Sequence, residues 1–299
     1  MFQVKIPATS ANLGPGFDCL GMALQLYNRI TVETNRPFRI TLSGSYKEGI
    51  PTDDTNLVWK TMCHFWDLIN YPIPNLDLTF ENFIPPARGL GSSSAAIVGG
   101  LVAANAIAGS PFTKLELLQV ANALEGHPDN VTPALYGGVT LSVSTENGVL
   151  PRILTQSPNF KAVVTIPNMH LNTKKARGIL PDQVHRKDAV FNISHVSLLT
   201  EAFIRGDYSL LKEGMRDTLH QNQRAALIPG LLETLEAALE TGAYGSALSG
   251  SGPTLLALIP DNLEKDVPLS MTKALERHGI NATALVLDID TSGAFTSLI

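Results

Sequence analysis

Residues 86–95 read PARGLGSSSA: a short stretch with two glycines around a leucine, three consecutive serines and one arginine. Pro86, the last residue of the strand-like LTFENFIPP, with Ala87, Arg88, Gly89, Leu90, Gly91, Ser92, Ser93, Ser94 and Ala95, leads into an alanine-rich helical run. Unpaired N–H groups and the positive end of that helix would face one spot, the glycines would let the backbone approach a ligand, and the hydroxyls would add donors. That chemistry suits an anion. A Walker A loop is excluded because no lysine follows the glycines. A dinucleotide fingerprint is excluded because Ser94 stands where its third glycine belongs and no acid lies about twenty residues on. Taken alone, the stretch also reads as a tight turn that lets a small-residue helix pack closely.

Two further glycine-rich stretches, PATSANLGPGFDCLG at 7–21 and ALSGSGPT at 247–254, lie far away in sequence and suggest one site assembled from both halves of the chain. Between them, LEGHPDN brings candidate polar groups. Glu125 could serve as an acid on a metal or as an ordinary helix-end charge. His127 has no second histidine or cysteine at ligand spacing and reads as structural. Asp129 could make an Asx turn, and Asn130 either joins that turn or faces a substrate. Arg177 and Arg224, without further context, read as solvated helix charges.

In their order and separations, PATSANLGPGFDCLG, PPARGLGSSSAA, EGHPDN and LSGSGPT resemble the GHMP small-molecule kinases over the whole chain, and PATSANLG-x-GFD with HPDN and TKKAR is similar to the homoserine branch of that family. The resemblance implies ATP-dependent phosphorylation of the L-homoserine hydroxyl, with a sister kinase acting on another small alcohol as the alternative. It implies that residues 86–95 wrap the ATP phosphates. It also implies that Glu125 and Ser93 hold Mg2+, with Asn130 at the acceptor hydroxyl. Asn12 and Asp18 would then take the substrate ammonium, and Arg177 and Arg224 its carboxylate, where a guanidinium fork fits better than an ammonium. Thr173, four residues before Arg177, would share its helix face. Small-molecule partners are therefore expected, with a homodimer as the assembly to test.

The elements that must position these residues are mixed. Strand patterns lie near residues 4, 29, 38, 76, 139, 161, 255 and 282. Helical spacing covers 57–69, capped by Asp54 or Thr55, then 93–108, 113–124, 195–205, 207–220, 230–241 and 264–278. The run 93–108 is small and apolar on nearly every side, as a buried helix is. Irregular mixing without βαβα alternation makes this an α+β protein with two halves, 1–160 and 161–299. The family resemblance implies a two-lobed architecture, the first lobe like the second domain of ribosomal protein S5 and the other ferredoxin-like.

With 299 residues, 44% of them hydrophobic, the chain can bury a sizeable core. A formal net charge of −5 gives no attraction for nucleic acid or an anionic membrane. Any anion must be held by local groups. Cys19 and Cys63, the only cysteines, read as reduced thiols, and MFQVKIPATS has no apolar signal core, so a cytoplasmic location is expected.

Overall fold

In the computed structural model the chain is described throughout, apart from the side chain of Thr173. The first half runs β1 (Phe2–Ala11), β2 (Leu20–Thr34), β3 (Arg39–Ser43), α1 (Leu57–Leu68), β4 (Leu76–Glu81), α2 (Ser92–Ile107), α3 (Lys114–Glu125), α4 (Pro128–Tyr136), β5 (Val139–Thr145) and β6 (Gly148–Thr155). The second continues with β7 (Lys161–Pro167), α5 (Thr173–Gly178), α6 (Arg186–Arg205), α7 (Leu211–Gly214), α8 (Gln221–Ala225), α9 (Leu231–Glu240), β8 (Gly245–Leu248), β9 (Leu255–Ile259), α10 (Asp266–Glu276), β10 (Ala282–Leu287) and β11 (Phe295–Leu298).

A seven-stranded sheet has the path β11-β1-β2-β4-β3, with β5 joining β2 and β6 joining β5, and a four-stranded sheet has the order β10-β7-β9-β8. All pairings are antiparallel except β3 with β4. The last strand thus returns from the second half to the first sheet.

The second sheet is apolar on both faces. Along β9, Leu256 and Leu258 join the large core that also holds Ile6, Leu78 and Leu101, while Leu255, Ala257 and Ile259 face a second core with Leu235, Met271 and Leu275 of α9 and α10. This two-residue alternation lets one strand serve two cores. The large core continues from one sheet to the other, so the halves are packed together.

Helix α2 is the buried helix that its composition calls for. Its glycines explain why. A Cβ on Gly99 would press on Ile6 and Ile30 of the sheet, and one on Gly100 would lie 2.8 Å from the Val58 carbonyl of α1. Larger residues would force sheet and helix apart.

Beyond elements the pattern reading left out, such as β6 and β11, four features differ from it. Asn56 caps α1, its side chain accepting from Val58 and Trp59 N–H, because Asp53 and Thr55 bond each other instead. The expected helix 207–220 breaks after Gly214, where buried Asp217 takes the N–H groups of Leu219, His220 and Gln221. Helix α6 begins nine residues early, at Arg186 rather than 195. Finally, HPDN opens α4, with Pro128 at its first position, rather than only ending α3. Cys19 and Cys63 are free thiols, and burial pushes Cys19 up to about 11.

Candidate active site

The three glycine-rich stretches meet. Thr9 N–H donates to the Leu90 carbonyl at 3.1 Å, Thr254 N–H to that of Arg88 at 3.1 Å, and Ser249 Oγ to that of Gly89 at 2.6 Å. Gly250 N–H donates to the Ala11 carbonyl at 3.1 Å. Gly89 and Gly91 both have positive φ, 79° and 68°. A Cβ on Gly89 would overlap the Ser249 carbonyl oxygen, and one on Gly91 the Thr9 hydroxyl, so the loop is held by close backbone approach.

These stretches line a cavity of about 490 Å³. At one end lies the start of α2. Gly91 occupies its N-cap position and no side chain caps the helix, which leaves the first N–H groups facing the cavity beside Ser92, Ser93 and Ser94. Glu125, the last residue of α3, accepts from Ser93 Oγ at 3.1 Å and from Ser94 Oγ at 2.6 Å. Ala87, Arg88 and Gly89 complete this wall, with Arg88 Nη1 donating to the Pro167 carbonyl at 3.0 Å. Pro86 lies off the cavity wall, and Leu90 and Ala95 turn into the core.

At the other end, Asp18 and Arg177 form a two-point pair, with Nη1 to Oδ2 at 3.0 Å and Nη2 to Oδ1 at 2.6 Å. Hydrogen bonding to Asp18 raises the Arg177 guanidinium, against the effect of burial. Asn12 supports this pair: its Oδ1 accepts from Asp18 N–H and its Nδ2 donates to the Gly250 carbonyl, each at 3.0 Å. Arg224 is 1% exposed and ties three segments together. Its Nε donates to Ala176 O at 3.1 Å, and Nη1 to Gly250 O at 3.0 Å and to His220 Nδ1 at 3.3 Å. Burial, then the charge of Arg177, pulls Arg224 down to about 10. Because the guanidinium must donate, His220 is neutral at Nδ1 and its Nε2–H donates to Gly14 O at 2.8 Å.

Between the ends, α4 presents Asp129 and Asn130. Asn130 Oδ1 accepts from Thr9 Oγ1 at 2.8 Å, and its Nδ2 donates to Asp129 Oδ1 at 3.3 Å. His127 Nδ1 lies 2.7 Å from Asp129 Oδ1. Burial alone would lower the imidazole, but the bond to Asp129 and its charge raise it above its ordinary value.

Residues 56–138 match the family pattern described as GHMP kinases N terminal domain, and residues 199–277 that described as GHMP kinases C terminal. The homoserine kinase of Desulfitobacterium hafniense is 56% identical over 294 residues, 98% of this chain and 99% of that protein. The chain belongs to the homoserine kinases of the GHMP family. The homoserine kinase of Synechocystis sp. is 44% identical, covering 98% of this chain and 97% of that one. Among solved structures, the crystal structure of homoserine kinase from Cytophaga hutchinsonii agrees with a TM-score of 0.87 at 30% identity, over 99% of this chain and 97% of that chain. The mevalonate kinase of Methanococcus jannaschii, 13% identical with a TM-score of 0.71 over 96% of this chain and 98% of that chain, shares the fold.

A homoserine kinase carrying these motifs gathers nearly every expected polar residue around one cavity: Asn12, Asp18, Ser93, Glu125, Asn130, Arg177 and Arg224 all line it. Thr173 lies outside the described residues. Ser94 joins Ser93 on Glu125, a partner that the hydroxyl run alone did not distinguish. Asp129 bonds His127 and Asn130 through its side chain. His127 also stands on the cavity wall. Several residues escaped sequence reasoning, among them Phe17, His170 and Asn172 on the cavity wall and His220 behind it. Phe17 holds its ring centroid 5.5 Å from the guanidinium carbons of both Arg177 and Arg224. His220 is wholly buried beneath Arg224, and its place four residues earlier, at the N-cap of α8, was the available signal.

Proposed function

We propose that the cleft transfers the terminal phosphoryl group of ATP to the side-chain hydroxyl of L-homoserine, giving ADP and O-phospho-L-homoserine on the route to threonine. One observation carries the reading: the uncapped start of α2, with Glu125 held by Ser93 and Ser94, faces a carboxylate-and-guanidinium set across one cavity. An anion end and an amino-acid end in one space suit this pair of substrates.

The α2 N–H groups and the loop from Ala87 to Ser94 would bind the phosphates through donors and the helix dipole. Ser93, Ser94 and Glu125 supply neutral and anionic oxygens, the donor set that Mg2+ prefers beside phosphates. When bound there, the ion supplies charge neutralisation for the transferring group. Asp18, His127 and Asp129 also bring ligand atoms within 4.8 Å of one another. Glu125 and its two serines stand beside the uncapped start of α2, where the phosphates would lie, whereas Asp18 is held in an ion pair with Arg177, so we assign the metal to the serine end.

Asp18, held by Asn12, takes the ammonium of the acceptor, while Arg177 and Arg224 take its carboxylate. Asn130, its amide fixed by Thr9 and Asp129, positions the hydroxyl. A loose phosphoryl transition state needs positioning and charge neutralisation more than a strong base, so the hydroxyl proton leaves to the transferred phosphoryl oxygens. The two halves, 1–160 and 161–299, with β11 returned to the first sheet, act as the walls of this cleft.

We also propose a cytoplasmic enzyme with reduced Cys19 and Cys63, acting on small molecules rather than nucleic acid or membrane; no helix among the described residues is long and apolar enough to cross one. A homodimer is the proposed assembly. Val190, Ile193 and Ile204 on α6 are each more than half exposed and offer an apolar face for it, which light scattering can test.

The deciding experiment is ADP release with ATP, Mg2+ and L-homoserine as the only acceptor. Robust turnover is expected. Turnover only with other small alcohols would move the chain to a sister kinase.

A further inference from the structure

The Asp18–Arg177 pair has both partners anchored independently of each other. Asp18 sits in the left-handed region at φ 57°, with its N–H on Asn12. Arg177 belongs to α5, and the preceding carbonyl, that of Ala176, is held by Arg224 Nε. Neither side chain is buried, at 34% and 37% exposure, yet both oxygens and both terminal nitrogens are matched. Little chain freedom is lost on pairing, which separates this pair from an ordinary surface contact.

We propose that the Asp18–Arg177 pair acts as a specificity filter that admits zwitterions and rejects ligands bearing only one of the two charges. The inference rests on the reading of this end as the acceptor site. A ligand with both an ammonium and a carboxylate breaks one ion pair and forms two. A ligand with only a carboxylate takes Arg177 and leaves Asp18 without its guanidinium, beside Asp129 and the His127 ring that Asp129 already holds. One with only an ammonium takes Asp18 and leaves Arg177 alone beside Arg224. In both cases the lost pair opposes binding, so discrimination comes from the empty site as well as from contacts in the complex.

The test uses two probes that each remove one charge from homoserine: 4-hydroxybutyrate, without the ammonium, and 3-aminopropan-1-ol, without the carboxylate. Calorimetric titration into the full-length protein reads their affinities. Asp18→Asn should weaken L-homoserine and, in the opposite sense, bind 4-hydroxybutyrate about 3–10-fold more tightly than the parent, because Arg177 is released. Loss of an ammonium contact alone would leave 4-hydroxybutyrate unchanged. General repulsion by Asp18 could mimic the gain, so the same change is made in an Arg177→Gln background. The gain should vanish there; its persistence, or no gain in the single variant, overturns the filter. Arg177→Gln provides the mirror test, with 3-aminopropan-1-ol bound more tightly than by the parent, and it decides if Asp18→Asn does not fold. Parent turnover of L-homoserine, measured separately, reports on the acceptor assignment itself. A parent that turns over homoserine while neither variant gains affinity loses the filter alone.

Discussion

At the anion end of the cleft, the loop from Ala87 to Ser94 is fixed before any ligand arrives: Thr9, Ser249 and Thr254 hold its carbonyls, and Glu125 holds two of its hydroxyls. At the acceptor end, the groups that would meet a substrate instead satisfy one another, Asp18 with Arg177 and Arg224 with His220. At the first end the donors for an anion are backbone N–H groups of one short segment, with Glu125 of α3 reaching in to Ser93 and Ser94. An anion there would break no ion pair. The second is made of side chains from separate elements, and binding there is an exchange of partners. A preformed site favours affinity, whereas an exchanged one makes selectivity depend on what the ligand returns.

The largest effect that would break this contrast is at Glu125. If Glu125 holds the ion as proposed, Glu125→Ala should lower kcat by ~10²-fold or more with the melting temperature little changed, since the charge-neutralising ion would lose a ligand. Activity within about threefold of the parent at saturating magnesium would make Glu125 a mere cap for the two serines.

Next comes the loop backbone. Gly89→Ala places a Cβ against the Ser249 carbonyl at a φ of 79°, which should cost about 1–3 kcal/mol of stability and weaken ATP more than homoserine. Thermal melts paired with titrations of each ligand would show this. Equal losses for both ligands would mean that the two ends are less separate than their construction suggests.

A smaller effect is expected for Arg177→Lys, on the order of tenfold in kcat/KM for homoserine, because an ammonium cannot hold Asp18 or a carboxylate at two points. The ATP KM should stay near that of the parent. A shift in the ATP KM equal to that for homoserine would remove Arg177 from the acceptor end.

The smallest concerns pH. Asp129 raises the His127 imidazole in the folded state, so the pair's contribution to stability is complete below about pH 6.5 and is lost as pH rises through the raised value. Relative to Asp129→Asn, the parent should gain about 1 kcal/mol at acid pH, and the difference should shrink toward pH 8. Denaturant melts across that range would read it, and a flat difference would show that the bond carries no charge.

How much of this could be read from letters depended on chain distance. The anion loop, the capped helix α3 and the small-residue helix α2 are local: glycine at a close approach, a capping box at Thr113 and Glu116, and residues small on every side each leave a mark within a few positions. Helix α4 was hidden because histidine and proline in HPDN carry the same signal whether they end one helix or begin another. The break after Gly214 was hidden for a different reason, since buried Asp217 outcompetes the helix for backbone N–H groups.

The sequence by itself determined the residue types at the cleft, the family and the glycine- and serine-rich loop before α2, because these rest on backbone conformation and on motifs within a short segment. Only the tertiary structure decided that Asp18 pairs with Arg177 across 159 positions, that Arg224 is buried on His220, and that Phe17 lies beside both arginines. It also decided that β11 returns to the first sheet. Such side-chain partnerships depend on where distant elements pack, and neither charge nor periodicity along the chain specifies which of many possible partners a guanidinium will meet.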